Sequence, residues 1–413
     1  MNRFIYNLIY PLFLFAGISI SLPPFFKTLS LILLLLALVF NKCCNKNTIF
    51  LPQILKVKNP ILWLVIFYFL YCVGMLYTAD FSEGFKDLSI KLPFLLLPII
   101  ACLTPKRSIT KGRLWNMFLA FALGLFIMQI YSLGMALGNA FSGDAFNIKE
   151  ILYTRLARKI HSTYFSLYTC IAFLMFYLIP LKYLAKSPKK AFVLKFIAML
   201  WLSVFNVLLS SRIGIIAMLL ICLAVLFNEV ILRKKYLKSF CYLLISFVFV
   251  ASFFVVKNCN NRYANIVSKT QVNEKVETKI VDSVSQRSFI YGNIDEMIMK
   301  NPFFGVGTGD VKNELQNFYS EKGVDFGMYL NAHNQFLQII IAIGVLGLIC
   351  FLTILFFLSY PLCFRNGLIL LFSVGIVCVF MMTESVLERQ QGVHFVSFYF
   401  VWLSNFLKIR KEM

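Results

Sequence analysis

Apolar runs of about 20 residues recur along most of the chain, and that recurrence limits what it can fold into. A helix needs roughly that length to cross the hydrocarbon of a bilayer. A backbone in lipid must also satisfy its own polar groups, which a helix does. With 60% hydrophobic and only 14% charged residues, an ordinary soluble domain is excluded. The pattern predicts an all-α polytopic membrane protein with about twelve transmembrane helices. They fall at roughly 4–22, 28–40, 60–77, 91–103, 113–138, 161–182, 191–210, 211–232, 237–256, 333–358, 367–384 and 391–408. The fourth is short and carries Pro93 and Pro98, which predicts a kinked or re-entrant piece. The first run ends in Leu22-Pro23-Pro24 with no small-residue cleavage site, so it reads as a span and not as a signal peptide.

Charge predicts the orientation. If the N-terminus is cytoplasmic, successive inner loops hold Lys42, Lys46, Lys56 and Lys58, then Lys106, Arg107, Lys111 and Arg113. Lys182, Lys186, Lys189 and Lys190 follow, then Arg233, Lys234, Lys235 and Lys238, and Lys408, Arg410 and Lys411 close the chain. Of the 18 acids, all but Glu229 and Glu412 fall on the other side. This is the positive-inside pattern, with both termini cytoplasmic. The net charge of +22 is therefore mostly a topology signal. Basic residues split among short loops make no nucleic-acid surface. The eleven cysteines form no disulfide framework: only Cys259 falls in the long outer loop.

Three regions follow: a membrane domain over 1–256, a periplasmic lid-like loop over 257–332, and a second membrane part over 333–413. Within the loop, 259–284 is polar and charged. From Ser285 a helix is expected to run to about Lys300, with Phe289, Ile290, Ile294, Met297 and Ile298 as its apolar stripe. Asn301-Pro302 ends it, and Gly305-Val306-Gly307-Thr308-Gly309 reads as a structural turn. Asp310 is expected to cap a second short helix to about Lys322. The pair would lie on the outer membrane surface as a cover for a cavity between spans.

The polar stretch Asn331-Ala332-His333-Asn334-Gln335-Phe336-Leu337-Gln338 leads straight into a spanning run. Polar groups at the edge of a span are costly and are functional candidates by default. His333 can also exchange protons near neutral pH. Two arginines join it on the outer face by topology: Arg212, at the start of the eighth span, and Arg287, opening the loop helix. Guanidinium groups bind phosphate oxygens bidentately, and helix N-termini favour anions. The three suggest a site for a lipid-linked phosphate or diphosphate. Each has a plainer alternative: Arg212 as an interfacial anchor, Arg287 as a solvated helix charge, His333 as a helix cap. His161 and Tyr164 start the sixth span and fit either headgroup contact or substrate binding. Glu384, Glu388 and Arg389 lie in the outer turn between the last two spans and fit a local ion-pair set or an acceptor cleft. His394 reads as packed.

No Asp-x-Asp pair, Walker loop or Gly-x-Ser-x-Gly elbow occurs in the sequence. No metal site and no cofactor are therefore expected. Glycosyl transfer from a lipid diphosphate fits, because arginines can stabilise the leaving charge in place of a metal.

These residues resemble the bacterial O-antigen ligase and O-antigen polymerase family. The match lies in Ser210-Ser211-Arg212-Ile213-Gly214, in Arg287 followed by Asn301-Pro302-Phe303-Phe304-Gly305-Val306-Gly307, and in His333-Asn334-Gln335-Phe336-Leu337 with Gly344-Val345-Leu346-Gly347-Leu348. The resemblance implies a GT-C-like membrane glycosyltransferase of the bacterial inner membrane, with its active site on the periplasmic side. It implies an undecaprenyl-diphosphate-linked glycan as donor and lipid A–core as acceptor. Arg212 and Arg287 would bind the diphosphate and His333 would sit at the reacting centre. Asn334, His161, Tyr164, Glu384 and Arg389 would line the substrates. A repeat-unit polymerase and a protein O-oligosaccharyltransferase are the alternatives within the class, and a lipid or glycan transporter is the alternative outside it.

Overall fold

The structure is a computed structural model that describes residues 2–44, 56–105, 108–142, 146–259, 283–324, 331–363 and 367–411. Lys46, Lys106, Arg107, Glu412 and most of the polar 259–284 stretch lie outside the described residues. The described residues fold as helices, with no strand among them. In chain order these are α1 Asn2–Ser19, α2 Pro24–Cys44, α3 Pro60–Gly74, α4 Phe81–Lys91, α5 Pro93–Leu103, α6 Lys111–Ala140, α7 Ser162–Leu178, α8 Pro188–Leu208 and α9 Arg212–Phe227. Then come α10 Tyr236–Cys259, α11 Ser283–Lys300, α12 Val311–Glu321, α13 Gln335–Cys363, α14 Leu368–Thr383 and α15 Gln390–Lys411. A π-helical turn, Asn228–Leu232, extends α9.

Every apolar run identified in the sequence holds a helix, but the helices are not equivalent. Among the described residues six stretches are long and apolar enough to cross a membrane: Pro24–Cys43, Lys111–Ala140, Pro188–Leu208, Arg212–Leu232, Lys238–Val256 and Gln335–Cys363. Leu8–Ser19, Pro60–Gly74, Ser162–Leu178 and Leu368–Thr383 are shorter apolar helices. The α5 helix, with Pro98 inside it, has only 11 residues. At 1.5 Å per residue it rises about 16 Å, roughly half the hydrocarbon thickness. The stretch before it forms α4, capped by Asp80, whose side chain accepts from the Glu83 N–H.

The last helix, α15, carries His394, Ser397, Ser404 and Asn405. Its polar content is tolerated because protein surrounds it. It packs against α2, α3, α5, α6, α7 and α13, and Val393, Val396, Phe400 and Leu403 are fully buried. Polar side chains inside a bundle find partners that lipid cannot offer: Ser397 donates to the Pro93 carbonyl at 2.8 Å. On α10, by contrast, Phe240, Phe247 and Phe254 are all exposed, as on a lipid-facing helix.

The loop between α10 and α13 is tied into the bundle. On α11, Ile290, Ile294 and Met297 are buried, as the stripe predicts. The glycine turn that follows is wedged into a break in α13, where Ile343 and Gly344 leave helical geometry. There the Val306 and Gly307 N–H groups donate to the Ile341 and Ala342 carbonyls at 2.8 and 3.1 Å. The Val345 N–H returns a bond to Pro302 at 2.8 Å. Gly344 has φ +69°, and a Cβ there would lie 2.0 Å from the Phe303 carbonyl oxygen, so only glycine fits. Asp310 does not cap α12 through its side chain, contrary to expectation. Its two carboxylate oxygens instead accept from the Ala79 and Asp80 N–H groups, both at 2.7 Å. A carboxylate on two backbone donors makes charge-assisted bonds, and these fasten the loop to the α3–α4 corner.

The helix ends sort the molecule in two. The starts of α7, α9, α13 and α15 and the end of α14 gather at one end. The starts of α6 and α14 and the ends of α7, α9 and α15 gather at the other, among the basic loops.

Candidate functional site

The stretch before α13 shows how a polar segment assigns its side chains. Asn331 Oδ1 accepts from the His333 N–H at 3.0 Å. Asn334 Oδ1 accepts from Phe336 and Leu337 at 2.9 and 3.3 Å, so Asn334 caps α13. Gln335, fully buried, accepts from the Leu387 N–H at 2.5 Å. Gln338 accepts from the Ala332 N–H at 3.0 Å. All four amides hold backbone. His333 is the exception: its ring caps nothing, and α13 begins two residues later. Its backbone sits at φ +48°, a conformation that costs a branched or bulky side chain free energy and concentrates at functional sites. The surroundings enforce it. The Tyr291 hydroxyl lies 2.8 Å from the His333 carbonyl and 3.1 Å from that of Met382, donating to one or the other.

The His333 ring faces Glu384, at the end of α14. Nδ1 lies 3.6 Å from Glu384 Oε1, and Arg287 Nη2 lies 3.6 Å from Glu384 Oε2. Their side chains are 17%, 11% and 28% exposed for His333, Glu384 and Arg287 respectively. The three are thus largely enclosed and at ion-pair distance. Burial pushes the Glu384 carboxyl up, but His333, His161 and Arg287 outweigh it and hold the group below the ordinary glutamate value. Arg287 lies one turn inside α11 and does not open it. Its Nε is buried with no hydrogen-bond partner among the described residues.

The outer turn is not the local ion-pair set that its sequence allows. Glu384 reaches to α11 and to the α13 entry. Glu388 pairs with Lys91 at 3.3 Å, and Lys91 also binds Asp87 at 2.5 Å. Lys91 is fully buried, with its ammonium 4.6 Å from the centre of the Tyr71 ring. Burial lowers the Lys91 affinity for a proton, yet Asp87 and Glu388 more than reverse this and hold it raised. Sequence reading passed over Lys91 and Tyr291 and gave Gln335 no role of its own. The only available signal for Gln335 was its place in the polar stretch.

His161 caps α7, its Nδ1 accepting from the Thr163 N–H at 3.4 Å. The ring stands edge-on to Tyr164 at 5.9 Å. Tyr164 is buried, its hydroxyl 3.4 Å from the Ser385 carbonyl and within the electrostatic reach of Arg389. His394 is buried, as expected, with Nδ1 3.0 Å from the Gln390 carbonyl. Arg212 opens α9 after Ser211, whose hydroxyl caps the helix through the Gly214 N–H. Gly214 packs on Ser166 of α7 so closely that a Cβ would overlap its hydroxyl. Ser166 lies about 7 Å along α7 from His161 at 1.5 Å per residue, which puts Arg212 at the same end of the bundle. The ion pairs join Arg287 and His333 through Glu384. Among the described residues no group of His, Cys, Asp and Glu side chains could hold a metal ion.

An arginine at a pinned helix start, an Arg–Glu–His set and a strained histidine at a span entry now stand at one end of a helical bundle. Residues 197–352 match the O-antigen ligase family. No curated protein matches the chain. The matched segment covers more than a third of the sequence and contains Arg212, Arg287 and His333. Glu384, Arg389, His161 and Tyr164 lie outside it. Among the described residues six helices are long and apolar enough to cross a membrane, so the segment similar to the O-antigen ligase family lies within a membrane protein.

Proposed function

We propose that the chain is an O-antigen ligase-type glycosyltransferase, inverting and metal-independent, at the periplasmic face of the inner membrane. It would move a glycan from undecaprenyl diphosphate to a hydroxyl of lipid A–core. One observation carries the reading: of the polar side chains entering α13, the His333 ring alone holds no backbone group and instead faces a carboxylate.

With Nδ1 turned to Glu384, the ring proton belongs on Nδ1 and leaves the Nε2 lone pair for the acceptor. Nε2 takes the proton of the acceptor hydroxyl as its oxygen attacks the anomeric carbon. The bond from that carbon to the diphosphate oxygen breaks on the opposite face, and the diphosphate leaves as an anion. Arg287 has unused N–H donors beyond its Glu384 contact. Together with Arg212 it would receive that charge. His161, Tyr164, Asn334 and Arg389 would frame the two substrates.

The test is His333→Ala, Arg212→Ala and Arg287→Ala in a strain lacking its own ligase. Each variant should lose the long lipopolysaccharide ladder while lipid-linked glycan accumulates. Ladders from all three variants would refute the mechanism. Single repeats on core, in place of bare core, would identify a polymerase. Glycan missing from proteins would identify a protein O-oligosaccharyltransferase. Transfer by purified protein in detergent would exclude transport as the activity.

A further inference from the structure

The basic end of the bundle contains a feature that glycosyl transfer does not use. A cavity of about 780 Å³ opens between the start of α6, the end of α7, the π-helical turn after α9, the start of α14 and the end of α15. Among the described residues two cations line it, Lys111 and Arg233, and no acid does. Arg233 spends one edge of its guanidinium on Glu229 at 3.1 Å and is otherwise 49% exposed. Lys111 makes no ion pair among the described residues. Trp115 also lines the cavity. It is 2% exposed, and its buried indole N–H has no acceptor among the described residues. A buried donor without an acceptor costs about 1–3 kcal/mol, so it points to a missing partner.

A fourth source of positive potential comes from α14. Its N-cap is Gly367, which offers no side-chain cap. The first turn of α14, whose N–H groups have no partner within the helix, lines the same space, with the positive end of the helix dipole behind it. Asn228 also lines the cavity, and Leu178, Leu232, Leu368 and Phe406 give it an apolar side. Cationic and N–H donors above an apolar wall, at the interface end of a membrane bundle, match a phosphate head on acyl chains.

We propose that this cavity binds the phosphate headgroup of an anionic membrane lipid, which braces α6, α14 and α15 against the α9 end. The phosphate oxygens take bonds from Lys111, the free edge of Arg233, the Trp115 N–H and the first turn of α14. The acyl chains run along Leu178 and Leu232. The proposal is independent of the catalytic reading, because it concerns the opposite end of the bundle.

The experiment uses the full chain, purified, stripped of lipid in a neutral detergent and titrated separately with phosphatidylglycerol, phosphatidylcholine and inorganic phosphate. Binding is followed by native mass spectrometry and by thermal shift. Phosphatidylglycerol should remain bound and raise Tm, while the other two should not. Lys111→Gln should weaken retention about fivefold, the equivalent of roughly 1 kcal/mol for one charge near a lipid surface. Lys111→Arg should restore it. Trp115→Phe, which keeps the ring and removes the N–H, should weaken it by less. Lys189→Gln, exposed at the same end but outside the cavity, should leave it unchanged. Equal retention of phosphatidylcholine would overturn the proposal, as would inorganic phosphate binding as tightly as the lipid. So would unchanged retention in Lys111→Gln and Trp115→Phe proteins that keep their helical circular dichroism.

Discussion

Two buried glutamates, each beside an arginine, occupy opposite ends of this bundle. Glu229, 2% exposed, places Oε1 2.6 Å from the Tyr177 hydroxyl and 3.1 Å from Arg233. Tyr177 in turn accepts from Asn228 at 2.5 Å. Glu384 has its arginine and its histidine at 3.6 Å each and is 11% exposed. The residue types are similar, yet one carboxylate takes a hydrogen bond from a buried tyrosine and the other has its partners slightly apart. The first arrangement holds structure. A set at ion-pair distance next to a strained residue can admit a substrate and tighten around it. Partner distance thus separates the two where composition cannot.

Substitutions should split the two glutamate sites, and the widest split is expected at His333. His333→Ala should lower glycan transfer about 10²–10⁴-fold, the usual weight of a general base. Its Tm should stay close to that of the parent protein, because the ring supports no backbone. A mutant that retains its rate would remove His333 from the chemistry. Arg287→Ala comes next, with a loss on the order of 10²–10³-fold for one charge-stabilising donor. Initial rates with purified lipid-linked donor would read both. Glu229→Gln should do the reverse. Weakening a buried charged hydrogen bond costs roughly 1–3 kcal/mol of stability, while transfer per folded molecule should not change. If Glu229→Gln lowered the rate at unchanged stability, the contrast between the two ends would fail.

The sequence showed one side of this contrast better than the other. Helix positions were legible because apolar length is a local property, and all twelve runs hold helices. His333, Arg212 and Arg287 stand out in the sequence because polar residues beside lipid are rare, and the fold places all three at one end of the bundle. Their connections were not. Glu384 meets Arg287 from almost a hundred residues away, and no periodicity encodes that distance. Lys91 carries no local signal, and its two partners, Asp87 and Glu388, meet it only in the fold. The break in α13 lies inside an unbroken apolar run, Ile339 to Leu348, and only the docked glycine turn explains it. Asp310 had a helix to cap and took two backbone donors elsewhere instead.

The smallest effects expected are those of Glu384 itself, and they test whether its charge matters. Glu384→Gln keeps the shape and removes the charge that turns Nδ1 of His333. Transfer should fall on the order of tenfold, about 1.4 kcal/mol of barrier, and so less than in His333→Ala. The pH dependence supplies a second reading. Because the folded carboxyl is held below its ordinary value of 4.5, its contribution to stability is fully present above that pH. The contribution is lost as pH falls through the depressed folded value, where the carboxylate takes up a proton and releases Arg287 and His333. Thermal melts between about pH 6 and pH 3 should therefore decline less steeply for Glu384→Gln than for the parent protein. Parallel curves would mean that Glu384 is no better held in the folded chain than in the unfolded one, and that the open cluster owes nothing to its charge.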